Sequence, residues 1–149
     1  MTEPLRLEFT VRCPPDHAFE MWTTKASLWW PSDHSISRDP EMTVTFEPRI
    51  GGRIYESIPG GTEYDWGEVV VWEPPTRITY VWHFARDRSD ATEVEVSFRE
   101  TGEVTVVTIE HRGWEQFGAG GPDLRERNRQ GWTDVFSHYD AACAAPPGS

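Results

Sequence analysis

Three scarcities restrict what this chain of 149 residues can be. Cysteine occurs only at Cys13 and Cys143, with no Cys/His cluster, so neither a disulfide framework nor a zinc site is indicated and both thiols are expected to be reduced. Long apolar runs are missing, and Val69–Trp72, among the longest, falls far short of the ~20 residues that span a bilayer. Basic residues are few: 14 Lys and Arg oppose 25 Asp and Glu. The resulting net charge of −11 disfavours nucleic acid and anionic membranes as partners.

Signals for export, metal binding and nucleotide binding are also lacking. No basic patch followed by an apolar stretch opens the chain, so a cytoplasmic location is expected. The Gly118–Gly121 segment lacks the spacing of a phosphate loop. The acidic loop matches no ligand spacing and is expected to be solvated; it contains Asp33, His34, Asp39 and Glu41. We therefore assign no catalytic residue, metal or cofactor, and the length predicts a single domain over residues 1–149.

Aromatic residues are abundant instead, with seven Phe, four Tyr and eight Trp. Large aromatic side chains are costly to leave on a soluble surface. We expect them to fill or border an interior space.

Alternation of apolar and polar residues predicts seven strands. The first covers Leu5–Val11, and the other six follow one another as an antiparallel meander, separated by turn residues such as Thr101-Gly102 and by a charged loop at Arg86–Asp90. The six are predicted at Met42–Phe46, Arg53–Ile58, Thr62–Trp72, Ile78–Phe84, Val94–Phe98 and Val104–Arg112.

Helical spacing appears in two places. A short helix is predicted from Pro14 to Trp22, with one or two further turns before Pro31. Near the end, apolar residues recur at three- and four-residue steps, which predicts a long helix from Pro122 to about Ala144. One helix covers only about 10–12 Å of a sheet that seven strands make roughly 30 Å wide. The predicted α+β sheet must therefore curl around the long helix and leave concave space beside it.

Several motifs carry a resemblance to a known family. They are Trp29-Trp30-Pro31, Gly51-Gly52-Arg53, Trp66-Gly67-Glu68-Val69, Pro74-Pro75-x-Arg77-Ile78, Tyr80-Val81-Trp82, Thr108-Ile109-Glu110-His111 and Gly131-Trp132. With the order of elements, they make Leu5–Tyr139 resemble the SRPBCC (START-like) superfamily, and within it the bacterial branch similar to the activator of heat-shock protein 90 ATPase. The resemblance implies a helix-grip fold, a curved seven-stranded antiparallel sheet wrapped around a long C-terminal helix, that binds hydrophobic ligands between sheet and helix.

The predicted ligand-binding side chains border that space. Glu56 alternates with Ile54 on its strand, and His111 shares a face with Ile109, so both are expected to point inward. Each is interpreted either as a polar contact for a ligand or as a satisfied core group, with the backbone or Asn128 as partner for His111 and an arginine as partner for Glu56. For Glu56 the opposite strand register, which would turn it outward, also stays open. The whole set is Glu56, Trp66, Tyr80, Trp82, Phe84, His111, Trp114, Phe117, Asn128, Trp132 and Phe136.

Two features near the long helix have alternative explanations. Trp114 and Phe117 are expected either to close the pocket as a lid or to cover the end of the sheet. Gly131 lies on the buried stripe, where glycine costs roughly 1 kcal/mol relative to Ala. A glycine there suggests close approach by the sheet or by a ligand, and packing against the sheet is the favoured explanation.

Three functions compete. The first is binding of a small hydrophobic or aromatic molecule without covalent chemistry, which we favour. The second is a cyclase- or hydrolase-like enzyme in which Glu56 and His111 act as acid and base. The third is a co-chaperone-like interaction module, which predicts a large exposed patch. A chaperone partner is not expected, because the eukaryotic co-chaperone carries a further amino-terminal domain that this short chain lacks. A homodimer through an edge strand stays open.

Overall fold

The computed structural model describes residues 3–84 and 90–144, and within them one antiparallel sheet has the strand order β1-β7-β6-β5-β4-β3-β2. This confirms the predicted curved seven-stranded sheet. The bounds of β1 and β7 are as predicted, and those of the other five strands differ from the predicted ones by at most three residues at either end. The predicted charged loop at Arg86–Asp90 lies outside the described residues except for Asp90. The strands are β1 Leu5–Val11, β2 Thr43–Phe46, β3 Arg53–Ser57, β4 Glu63–Glu73, β5 Arg77–Trp82, β6 Thr92–Thr101 and β7 Val104–Arg112.

The helices follow the predicted helix-grip plan. Helix α1 covers Pro15–Trp22, and helix α2 covers Gly121–Ala144, where the proline at its second position fits a first turn that needs no amide donor. Short 3₁₀ turns occur at Ala26–Leu28, at Ser32–His34, within the segment predicted as loop, and at Trp114–Gly120. None of the described helices is both long enough and apolar enough to cross a membrane.

The curl of the sheet has a local cause in β4. Register shifts interrupt its pairing with β3 at Ile54/Tyr55 and with β5 at Val69/Val71. Such bulges increase the twist of a strand. Gly67 lies between them, and a Cβ atom there would come within 2.0 Å of the Val81 carbonyl oxygen. Glycine is therefore required at this point of close approach.

Helix α2 is held against the concave face by specific contacts as well as by burial. Phe136 stacks on Phe9 of β1 with ring centroids 3.8 Å apart. The Tyr139 hydroxyl donates a hydrogen bond of 2.7 Å to the carbonyl of Ala18 in α1. These contacts fix the helix between the first strand and the first helix, and leave its middle facing the end of β5.

Buried weak acids make the fold sensitive to alkali. Burial raises the pKa of Tyr80, Tyr139 and Cys143 above the ordinary values of 10.0 for tyrosine and 9.0 for cysteine. The folded state therefore keeps these groups neutral, whereas the unfolded chain ionises them near their ordinary values.

The expected result is a free energy of unfolding that is constant from about pH 7 to about pH 8.5 and then falls, by up to about 1.4 kcal/mol per pH unit for each group whose ordinary pKa is passed. Urea unfolding followed by circular dichroism at a series of pH values measures this. Tyr80→Phe removes one of the ionising groups and should reduce the slope above about pH 10. Stability that stays constant to about pH 11 would contradict the assignment.

Candidate functional site

A pocket opens between the end of β5 and the middle of α2. It encloses about 90 Å³, and about 380 Å³ when the space open to solvent at its mouth is included. Small-molecule pockets commonly measure ~300–1,000 Å³, so the 90 Å³ interior is small by comparison, and a ligand would fill it and lie largely in the mouth. The lining residues are Trp30, His34, Trp82, Phe84, Asn128, Gly131, Trp132 and Val135.

Aromatic rings form the walls. Trp82 and Phe84 stack with an interplanar angle of 10° and centroids 5.3 Å apart. Trp132 lies 5.9 Å from Trp82, and Trp30 stands nearly perpendicular to Trp132 at 85° and 6.4 Å. Rings in stacked and edge-to-face arrangements offer both faces and edges to a flat guest.

His111 lies outside the pocket and holds the ring of Trp132, one of its walls, by a hydrogen bond. Its Nδ1 accepts a 3.0 Å hydrogen bond from the Trp132 indole, so Nε2 carries the proton and donates to the Thr92 hydroxyl at 2.6 Å. The Thr92 hydroxyl in turn donates to the Trp82 carbonyl at 3.2 Å. His111 is fully buried and does not line the pocket. It is a satisfied core histidine, and its partners are Thr92 and Trp132 rather than Asn128, whose amide donates to the Leu124 carbonyl.

Glu56 is also satisfied inside the protein. Its Oε1 accepts hydrogen bonds from the Ile36 amide at 2.6 Å and from the Trp66 indole at 2.8 Å. Its Oε2 accepts from the amide and the hydroxyl of Ser37 at 3.1 and 2.7 Å. The partner is thus the loop before β2, and not an arginine. With both groups placed away from the pocket wall, the acid–base pairing of Glu56 with His111 has no structural support.

The other predicted side chains divide between the pocket and the core. Trp82, Phe84, Asn128 and Trp132 line the pocket. The remaining aromatic residues lie away from its lining: Trp66 and Tyr80 are fully buried, Phe136 packs on β1, Trp114 is fully buried, and Phe117 is half-buried against the core.

Trp114 does not form a lid in this structure. Its indole donates a 2.7 Å hydrogen bond to the His111 carbonyl, and its ring lies 4.3 Å from the imidazole. The side chain is fully buried. It therefore covers the end of the sheet, which was the alternative to the lid.

The surroundings of Gly131 do not support the prediction that tight packing requires glycine there. It lines the pocket from α2, and a Cβ atom built there meets no atom within 4 Å. No close approach of the sheet requires glycine at this position. A side chain here would instead project into open space at the pocket.

Sequence analysis missed three pocket residues, namely Trp30, His34 and Val135. In the sequence, Trp30 stands out only as part of a family motif, and the acidic loop that contains His34 is predicted to be solvated. The Trp30 indole donates a 3.1 Å hydrogen bond to the His34 carbonyl, which ties the wall to the mouth. Val135 follows Gly131 by four residues. This spacing predicts that the two share a face of α2, but it does not predict that the face borders a pocket.

The mouth carries a histidine–aspartate pair. His34 Nε2 lies 2.6 Å from Asp134 Oδ2, although the two residues are 100 positions apart in sequence. Asp33 adds a third polar group, and one donor atom from each of the three residues lies within 4.8 Å of the others. The two atoms at 2.6 Å are hydrogen-bonded to each other, so a cation coordinated by both would have to displace that bond.

A second depression lies between α1 and the β4–β5 turn. It has a volume of about 310 Å³ and includes Phe19, Trp72 and the Pro74-Pro75 pair in its lining. Its walls also carry Asp16 and Glu20. We choose the β5–α2 pocket as the candidate site because several rings converge in it between sheet and helix, with His34 and Asn128 as its polar side chains.

The fold and this pocket define a helix-grip protein of the SRPBCC superfamily. The chain belongs to the family described as "Activator of Hsp90 ATPase homolog 1-like protein", whose model matches residues 12–143. A comparison with curated proteins finds no match.

Solved structures show the same fold. Protein MLL2253 from Mesorhizobium loti is 20% identical, with a TM-score of 0.68 over 93% of this chain and 94% of that chain. The Aha1 dimer from Colwellia psychrerythraea is 16% identical, with a TM-score of 0.67 over 99% and 100%. Txn09, described as an anthrahydroquino-γ-pyrone synthase complexed with SUM, is 32% identical, with a TM-score of 0.59 over 83% and 84%.

Proposed function

We propose that the protein binds a small planar aromatic molecule in the β5–α2 pocket. Gly131 is the observation that carries the proposal. Glycine in the middle of a helix costs about 1 kcal/mol relative to alanine. Because no neighbouring atom requires its small size, the benefit that offsets this cost is room at the pocket.

The lining indicates the chemistry of the ligand. The ring faces and edges of Trp30, Trp82 and Trp132 favour a flat apolar body over a flexible chain. The polar side chains in the lining are those of His34 and Asn128, so hydroxyl or carbonyl groups are expected on the ligand where it meets these two residues. The ligand class that fits is a fused-ring phenol or quinone.

The likeness to Txn09 supports this class. That protein's description names a product built from an anthrahydroquinone, which is a fused aromatic system, and the two chains share 32% identity over most of their lengths. The same likeness favours a second candidate function, an enzyme that forms such a ring system. A cyclase in this chain would need a base other than Glu56 or His111.

The interaction-module hypothesis has less support. Among the described residues, the large apolar side chains that are exposed are Leu28, Ile50 and Val70. Interface cores are usually built from aromatic residues and Met, and in the described part of the chain no aromatic or Met side chain is among the exposed ones. A homodimer and a cytoplasmic location remain proposals.

Titration with 1,8-dihydroxyanthraquinone tests the proposed function. Tryptophan fluorescence should be quenched saturably at one molecule per chain, with a dissociation constant on the order of 1–10 μM. Dodecanoic acid, which is apolar but not planar, is the matched comparison and should bind far more weakly. Quenching that does not saturate, or equal affinity for the fatty acid, would reject the proposal.

A further inference from the structure

The pair at the pocket mouth has a defined proton arrangement. An ionised carboxylate only accepts hydrogen bonds, so in the neutral imidazole the proton lies on Nε2, which faces Asp134 at 2.6 Å. The described residues supply no hydrogen bond to Nδ1 of His34. Its lone pair is therefore available. In a Ser-His-Asp triad a carboxylate likewise fixes the histidine tautomer and leaves the other ring nitrogen as a base.

The backbone holds the imidazole at this place. His34 ends the 3₁₀ turn Ser32–His34, and its amide donates a 3.0 Å hydrogen bond to the Pro31 carbonyl. Its carbonyl accepts from the Trp30 indole, which is itself a wall of the pocket. The His34 side chain is 30% exposed, so it is accessible to a ligand while anchored at both ends of the residue.

Two carboxylates lie close to the His34 ring. Asp33 from the same turn and Asp134 from α2 both place a carboxylate oxygen within 4.8 Å of the ring nitrogen. No lysine or arginine lines the pocket in the described part of the chain. The lining residues therefore place no positive charge beside the His34 ring.

We infer that His34, oriented by Asp134, accepts the proton of an acidic phenol or enol hydroxyl on the aromatic ligand. The inference rests on the proposed function and narrows its ligand class to molecules that carry such a hydroxyl at the mouth end. The O–H bond of the ligand breaks and an N–H bond forms at Nδ1. The ligand becomes a phenolate or enolate, the imidazole becomes an imidazolium, and Asp134 compensates its charge. An oxyanion of this kind is the nucleophilic form that ring closure onto a carbonyl would use.

Alizarin, a planar dihydroxyanthraquinone whose phenolate absorbs at longer wavelength than its phenol, is the probe. The spectrum of the bound dye is recorded about one pH unit below the value at which the free dye ionises in the same buffer. The wild-type protein should hold the dye mainly as phenolate. His34→Gln retains a donor for Asp134 but takes up no proton, and should lower the phenolate-to-phenol ratio at least about tenfold. Asp134→Asn should give an intermediate ratio.

Quenching of tryptophan fluorescence in the same samples reports binding separately. His138→Gln, at an exposed histidine elsewhere on α2, is the matched control and should leave the spectrum of the bound dye unchanged. Two results would overturn the inference and leave the proposed function standing. One is that the wild type shows quenching while the bound dye stays in its phenol form, and the other is that the phenolate band persists in His34→Gln. Absence of quenching in the wild type rejects the proposed function, and the inference with it.

Discussion

Replacing Glu56 with alanine is expected to lower the free energy of unfolding by about 3–4 kcal/mol, because hydrogen bonds to charged groups contribute roughly 1.5–3 kcal/mol each and several are lost together. The carboxylate is fully buried and accepts four hydrogen bonds, from Ile36, from two groups of Ser37 and from Trp66. Water can reach part of the Ser37 side, so the loss is smaller than the sum. Urea unfolding followed by circular dichroism measures it.

Two variants make this result specific. Glu56→Gln keeps one acceptor oxygen but turns an amide group toward donors, so it should lose roughly half as much. Glu63→Ala removes an exposed carboxylate whose partner is Arg53 at 3.1 Å, and should cost less than about 1 kcal/mol. If Glu56→Ala were as stable as Glu63→Ala, Glu56 would have another role than anchoring the loop before β2.

Glu56→Ala should also affect the pocket. Glu56 anchors Ile36 and Ser37, which lie two and three residues after His34. Loss of that anchor should loosen the mouth and weaken ligand affinity even where the protein remains folded. Glu56 thus acts on the site through the loop, as a positioning residue.

Replacing Gly131 with leucine is expected to weaken ligand binding at least about tenfold, which corresponds to about 1.4 kcal/mol. The side chain would occupy pocket volume that no protein atom fills, since even a Cβ atom has no neighbour within 4 Å. Gly131→Ala should stabilise the helix by about 1 kcal/mol while weakening binding to a smaller extent. Stability that rises as affinity falls is the pattern expected of a glycine that provides room for a ligand.

Gln130→Leu is the control for this prediction. Gln130 is exposed on the same helix and does not line the β5–α2 pocket. Its replacement should leave the affinity for 1,8-dihydroxyanthraquinone unchanged. Unchanged affinity in Gly131→Leu as well would show that the ligand binds elsewhere.

Much of the fold could be predicted because it is encoded locally. Alternation on Leu5–Val11 reports which face of a strand is buried, and three- and four-residue steps report the buried face of α2. The inward direction of Glu56 and His111 follows from the same alternation and is confirmed by their burial. The bounds were less accurate where β6 continues past Phe98 as an exposed strand to the turn.

The roles of the site residues depend on contacts that periodicity does not report. Glu56 meets a loop 19 and 20 residues away, and His34 meets Asp134 across 100 residues. Alternation gives the direction of a side chain but not the partner that meets it. The pocket itself depends on how the indole rings are turned, and most of the predicted aromatic lining proved to be core for that reason.

Two-dimensional NMR of the eight indole N–H groups tests the central claim most directly, because each tryptophan reports on its own position in the fold. On addition of 1,8-dihydroxyanthraquinone, the signals of Trp30, Trp82 and Trp132 should shift most. Trp72, in the groove against α1, should stay in place. Shifts centred on Trp72, or the absence of any shift in the pocket tryptophans at saturating ligand, would contradict a binding site between β5 and α2.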